Sequence, residues 1–154
     1  MQKIRKILAP TDMSDLSSVG VRYALEMARE LSAEVVVYHT VPVGEDWFSD
    51  YEKHGPVRNL VVDEETALDN FLAAKFGDDM KHVQIRQKVV LGVPYASIVE
   101  MAEREEVDLI VMSTHGRTGL SHMLLGSVTE RVVAHAPCPV LAIPTHGRRT
   151  AKAA

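Results

Sequence analysis

The sequence is short of several features, and each shortage closes off a class of protein. It has one cysteine, Cys138, so no intrachain disulfide can form, and a reducing compartment suits it. No apolar run nears the roughly 20 residues that span a bilayer. The opening MQKIRKILAP holds too short an apolar stretch for a secretory signal, which makes a soluble cytoplasmic protein the expectation. Excess charge of one sign is also missing. Seventeen Lys and Arg against 21 Asp and Glu give −4 at pH 7, with no run of either sign fit to neutralise a phosphate backbone or an anionic membrane. Neither nucleic acid nor a membrane is therefore expected as a partner. The one basic cluster, Arg148, Arg149 and Lys152, falls in a polar tail over residues 147–154 that reads as a solvated end.

Catalytic signatures are missing as well. The sequence has no Gly-x-x-x-x-Gly-Lys-Ser/Thr phosphate loop, no kinase lysine–glutamate set and no Gly-x-Ser-x-Gly nucleophile elbow. No pair of carboxylates stands in a motif that orients an attacking water, so no catalytic residue is assigned. The seven histidines (His39, His54, His82, His115, His122, His135 and His146) show no tight ligand pair with an acidic third partner, so no metal site is expected from them. Cys138, set between Pro137 and Pro139, reads as an inert thiol.

What is present is an alternating pattern. At 154 residues, 46% apolar and 25% charged, the chain suits one globular domain, placed at residues 1–146, with no repeat or linker. Five aliphatic, β-branched segments, at residues 4–9, 34–40, 83–91, 107–113 and 140–143, alternate with helical stretches. VVVYHT and VDLIVMST are almost continuously apolar, as parallel strands covered on both faces should be. The first helix starts at a capping signal, Asp12 or Ser14, and runs to about Leu31, with Val21, Leu25, Ala28 and Leu31 as its inward stripe. A second covers about 57–76 with Val61, Leu68 and Leu72 inward, and GDD from Gly77 ends it. Pro94 opens a third, and a fourth begins near Gly126 or Ser127 and stops before Pro137. Between residues 41 and 56 the period is lost. Trp47, Phe48 and Tyr51 there read as cover for one edge of the core, with a lid or partner surface as the alternative.

In an open parallel sheet, ligands bind beyond the carboxyl ends of the strands. After the first strand comes Pro10-Thr11-Asp12, whose carboxylate can accept from ribose hydroxyls or cap the helix. After the fourth come Ser113-Thr114-His115-Gly116-Arg117-Thr118-Gly119 and then Gly126-Ser127-Val128-Thr129 at the start of the last helix. Glycines let a backbone approach a polyanion, and a helix N-terminus offers free N–H groups and positive partial charge. The same residues also fit a plain glycine-containing loop with a serine cap.

The string MSTHGRTGLSHMLLGSVTERVV resembles the signature segment of universal stress proteins. Nucleotide-binding members of that family carry Gly, two residues, Gly, nine residues, then Gly-Ser or Gly-Thr. Gly116, residues 117–125 and Gly126-Ser127 match, and Ser113 stands where the first glycine would be. The likeness extends to ILAPTDMSD, YHTV, LGVPYASIVEMA and APCPVLAIP, in order along essentially the whole chain. It implies an adenine nucleotide alpha-hydrolase-like α/β fold, an open, doubly wound five-stranded parallel sheet of order 3-2-1-4-5 with four helices.

The resemblance further implies a bound ATP or AMP, with Mg²⁺ as an accompanying ion that Asp12 could help hold. Asp12 would meet the ribose or the adenine edge, Pro10 and Thr11 would line the base, and the main chain of Thr40 would bond it. Gly92 would give room and Met112 would pack beside the base. Gly116, Gly126, Ser127, Val128 and Thr129 would hold the phosphates, flanked by His115 and Arg117. Ser113 would either push the backbone from the ligand or add a donor. The function implied is a small stress-response regulatory module with an unknown regulatory protein partner. It would act as a homodimer through the edge strand between Pro139 and Pro144. The alternatives are a nucleotide-free interaction scaffold of the same fold and a slow metal-dependent ATPase.

Overall fold

The computed structural model describes residues 2–44, 57–117 and 124–145. The loop aromatics Trp47, Phe48 and Tyr51, residues 118–123 and the basic cluster of the tail lie outside the described residues. Five strands alternate with helices: β1 Lys6–Pro10, α1 Asp15–Leu31, β2 Glu34–Pro42, α2 Val57–Phe76, β3 Gln84–Gly92, α3 Pro94–Arg104, β4 Leu109–Ser113, α4 Ser127–His135 and β5 Val140–Ile143. The strands form one parallel sheet in the order β3-β2-β1-β4-β5.

Side chains alternate between the faces, and both faces are covered. Ile7 and Ala9 of β1, Val35 and Val37 of β2 and Leu109 and Val111 of β4 pack with Val21, Leu25 and Ala28 of α1 and Leu68, Leu72 and Phe76 of α2. Their neighbours Leu8, Val36, Tyr38, Ile110 and Met112 pack against Ile98, Met101 and Ala102 of α3 and Val132 of α4. A sheet apolar on both faces needs such a double layer, which is why these central strands read as unbroken apolar runs. β3, at an edge, carries Gln84, Arg86, Gln87 and Lys88 outward.

One detail differs from the sequence reading, and one open choice is resolved. Leu31 is exposed, and the buried stripe of α1 is Ser17, Gly20, Val21, Ala24, Leu25 and Ala28. The cap of α1 is Ser14, whose hydroxyl accepts from the Ser17 N–H, so Asp12 is left for another task. At the amino ends of the strands an ion-pair cluster joins Glu34, Arg86, Glu105 and Lys6, and Arg86 holds the Glu105 carboxyl down to about 2. At the carboxyl ends α1 leaves β1 towards one face while α4 leaves β4 towards the other, and a crevice opens between them.

Candidate functional site

A cavity of about 450 Å³ occupies this crevice, within the 300–1,000 Å³ usual for small-molecule sites. Of the residues singled out above, Pro10, Thr11, Asp12, Thr40, Met112, Ser113, His115, Gly116, Arg117, Gly126, Ser127, Val128 and Thr129 all line it, and Gly92 does not. Gly92 ends β3, and a Cβ there would meet only the Ser97 Cβ at 3.9 Å, an ordinary contact.

The β1 loop folds on its own side chains. Thr11 Oγ1 accepts from the Met13 N–H at 3.0 Å and shares a proton with Ser17 Oγ at 2.8 Å. Asp12 Oδ1 accepts from the Ser14 N–H at 3.0 Å. Between them Met13 takes a left-handed φ of 62°, a conformation uncommon outside glycine that these bonds hold in place. The other oxygen, Asp12 Oδ2, accepts from the Arg117 N–H, and the Arg117 guanidinium donates to the Asp12 carbonyl at 2.9 Å. Asp12 therefore fastens the β1 loop to the β4 loop. A side chain on Gly116 would collide with that same Oδ2, which accounts for the glycine. Burial alone would raise the Asp12 pKa, but hydrogen bonds from Ser14, Arg117 and Ser17 outweigh it and set the value below the ordinary one.

The β4 loop is closed from within. Ser113 Oγ donates to the His115 carbonyl at 2.8 Å, so its one proton is spent inside the loop. Thr129 Oγ1 donates to the Ser113 carbonyl at 3.0 Å, docking α4 on the end of β4. The Gly126 N–H donates to the Thr114 carbonyl at 2.7 Å, and a Cβ on Gly126 would stand 3.1 Å from that oxygen. Gly126 is thus needed for contact between the two backbones, and a bulky replacement would strain the loop before it met any ligand.

Gly126 is also the N-cap residue of α4, with no side-chain cap bond. Ser127 stands one position inside the helix and does not cap it. Ser127, Val128 and Thr129 line the cavity, and as first-turn residues their N–H groups have no partner within the helix and carry positive partial charge.

The opposite end of the cavity is mostly apolar, with Val41, Pro42, Pro94, Ile98 and Met112 in its lining. Two polar residues there were not singled out from sequence. His39 Nδ1 lies 2.8 Å from the Thr11 carbonyl, and its Nε2 lies 3.3 Å from Glu64 Oε2 of α2. Only the strand-end position of His39 was legible, and nothing in the local sequence marked Glu64. Among the described residues no cluster of three or more His, Cys, Asp and Glu could hold a metal, and no helix is long and apolar enough to cross a membrane. Cys138 is half-buried, and burial pushes its thiol pKa up, so the nucleophilic thiolate is disfavoured.

Residues 3–144 match the model of the universal stress protein family. Universal stress protein MJ0531 of Methanocaldococcus jannaschii is 38% identical over 139 residues, 90% of this chain and 81% of that protein. MJ0577 of the same organism is 31% identical over 152 residues, covering 90% of this chain and 94% of its own. Its solved structure superposes with a TM-score of 0.76 at 29% identity, over 96% of this chain and 100% of that one. A universal stress protein from Archaeoglobus fulgidus, solved in complex with dAMP, shares the fold at a TM-score of 0.62 and 20% identity, over 93% and 99% of the two chains.

Proposed function

The chain belongs to the universal stress protein family, and we propose that it binds an adenine nucleotide, ATP or AMP, as a regulatory module. The carrying observation is the polarity of the cavity: uncapped helix N–H groups at one end, an apolar recess at the other and a carboxylate, Asp12, between. Phosphates suit the first, a purine face the second and ribose hydroxyls the third. That a protein of the same fold was solved with dAMP supports an adenine nucleotide as the ligand. Mg²⁺ has no protein cage among the described residues, so it would enter with the phosphates.

In this reading, nucleotide bridges the β1 and β4 loops, and its presence alters the surface those loops offer to a regulatory partner. The edge strand β5 supports a homodimer through the segment between Pro139 and Pro144. Val140, Leu141 and Ala142 are only half-buried, and β5 pairs on one side with β4 alone. Titration calorimetry with ATP and with AMP on protein first stripped of nucleotide tests the reading. Saturable binding of one nucleotide per chain is expected. No heat with either nucleotide, at protein concentrations that would reveal a millimolar Kd, overturns it and leaves the scaffold.

A further inference from the structure

The polar pair His39 and Glu64 ties β2 to the β1 loop and to α2, and its hydrogen bonding is incomplete. His39 is buried on β2, and its Nδ1 must carry the proton it shares with Thr11, because a carbonyl can only accept. The ring is thereby fixed, with Nε2 directed at Glu64 Oε2 3.3 Å away. Glu64 Oε1 makes no hydrogen bond among the described residues, although the side chain is 29% exposed and lines the cavity. A carboxylate oxygen with spare lone pairs, in a cavity whose lining includes Val41, Pro42 and Pro94, seeks a donor. Among the described residues, the one Arg or Lys in the lining, Arg117, is fastened to Asp12 at the β4 loop.

Charge also fixes which way a ligand lies. The N-terminus of α4 attracts phosphate, and the apolar residues of the lining do not. His39 stands on β2 and α4 follows β4, with β1 between them, so the two ends are set apart by two strand spacings, roughly 10 Å. The base must then face Glu64.

The geometry points to Glu64 as the specificity-determining residue of the nucleotide reading above, accepting a hydrogen bond from the exocyclic amino group of a 6-aminopurine. His39 is its positioning residue. A 6-oxo group in the same place would set oxygen against oxygen, and a purine bare at C6 would leave Oε1 without its donor.

The test compares the affinities of ATP and purine riboside triphosphate, which lacks only the amino group, by calorimetry. Wild type is expected to prefer ATP by roughly 10- to 100-fold, the scale of a hydrogen bond to a charged group. In Glu64→Leu the ratio is expected to fall to near one. In Glu64→Gln, whose amide oxygen can still turn to the base, much of the preference is expected to survive. Equal wild-type affinities for the two triphosphates, or an undiminished preference in Glu64→Leu, overturns the assignment. The wild-type comparison needs no variant, so a misfolded variant leaves the test standing. If neither triphosphate binds at all, it is the nucleotide reading that fails, and this assignment falls with it.

Discussion

Gly20→Ala is expected to destabilise the fold by about 2–3 kcal/mol, the reverse of what the same change does on an open helix. In a solvent-facing helix interior, replacing glycine by alanine gains roughly 0.5–1 kcal/mol. Gly20, however, lies on the buried stripe of α1 where the helix crosses β4. A Cβ there would stand 2.6 Å from the Ser113 N and 2.9 Å from both the Met112 Cα and carbonyl carbon. All three are backbone atoms of a central strand, which cannot swing away as a side-chain tip can. The helix must lift from the sheet, opening the contacts of Val21 and Ala24 beside it, and overpacking of this kind costs about 1–3 kcal/mol or more. Urea unfolding with an unchanged m-value would check the loss. A gain in stability would show that α1 does not approach β4 so closely. Because Ser113 opens the β4 loop, the same variant should also weaken nucleotide binding.

That contact was invisible in the sequence, where Gly20 is an unremarked small residue in a helical period. The fold itself was legible because its signals are local and repeated. Continuous apolar runs mark buried parallel strands, and Ser14, Pro94 and Gly126 mark helix starts. Strand ends were less so. β1 starts at Lys6, and it extends to Pro10, which stands opposite Tyr38 of β2, whose carbonyl accepts from the Thr11 N–H just beyond. The loop residues of the site could be named because their string resembles the family's signature segment; glycine, serine and aspartate after a strand equally fit a capped loop. Glu64 could not be. In VVDEETALD it looks like one more solvated acid on a helix, and only the tertiary fold sets it against His39. Ser113 and Gly126 were noticed by position, and the contacts they make within the chain were not legible. The serine proton goes to a loop carbonyl, and the glycine admits a neighbouring backbone.

Asp12→Asn is expected to weaken nucleotide binding by roughly tenfold to a hundredfold, nearly as much as Asp12→Ala, although asparagine has almost the shape of aspartate. The two carboxylate oxygens accept from two backbone N–H groups, those of Ser14 and Arg117, on two loops. An amide has one acceptor and one donor, so either way round its NH₂ meets an N–H. One tie breaks and a donor is left facing a donor, at the cost of a hydrogen bond to a charged group, about 1.5–3 kcal/mol. If the carboxylate also meets the ribose, the amide loses that charge too. An Asp12→Asn protein that binds ATP as tightly as wild type would show that the loop tie is irrelevant to the site. In wild type the ionised tie has a depressed pKa, so its contribution is fully present above the ordinary aspartate value of about 4 and lost only as pH falls through the lower folded value. The Arg117 amide proton resonance should accordingly hold its position from neutral pH down to about 4 and move only below it. Movement around pH 5–6 would mean that burial, rather than the two N–H donors, governs Asp12.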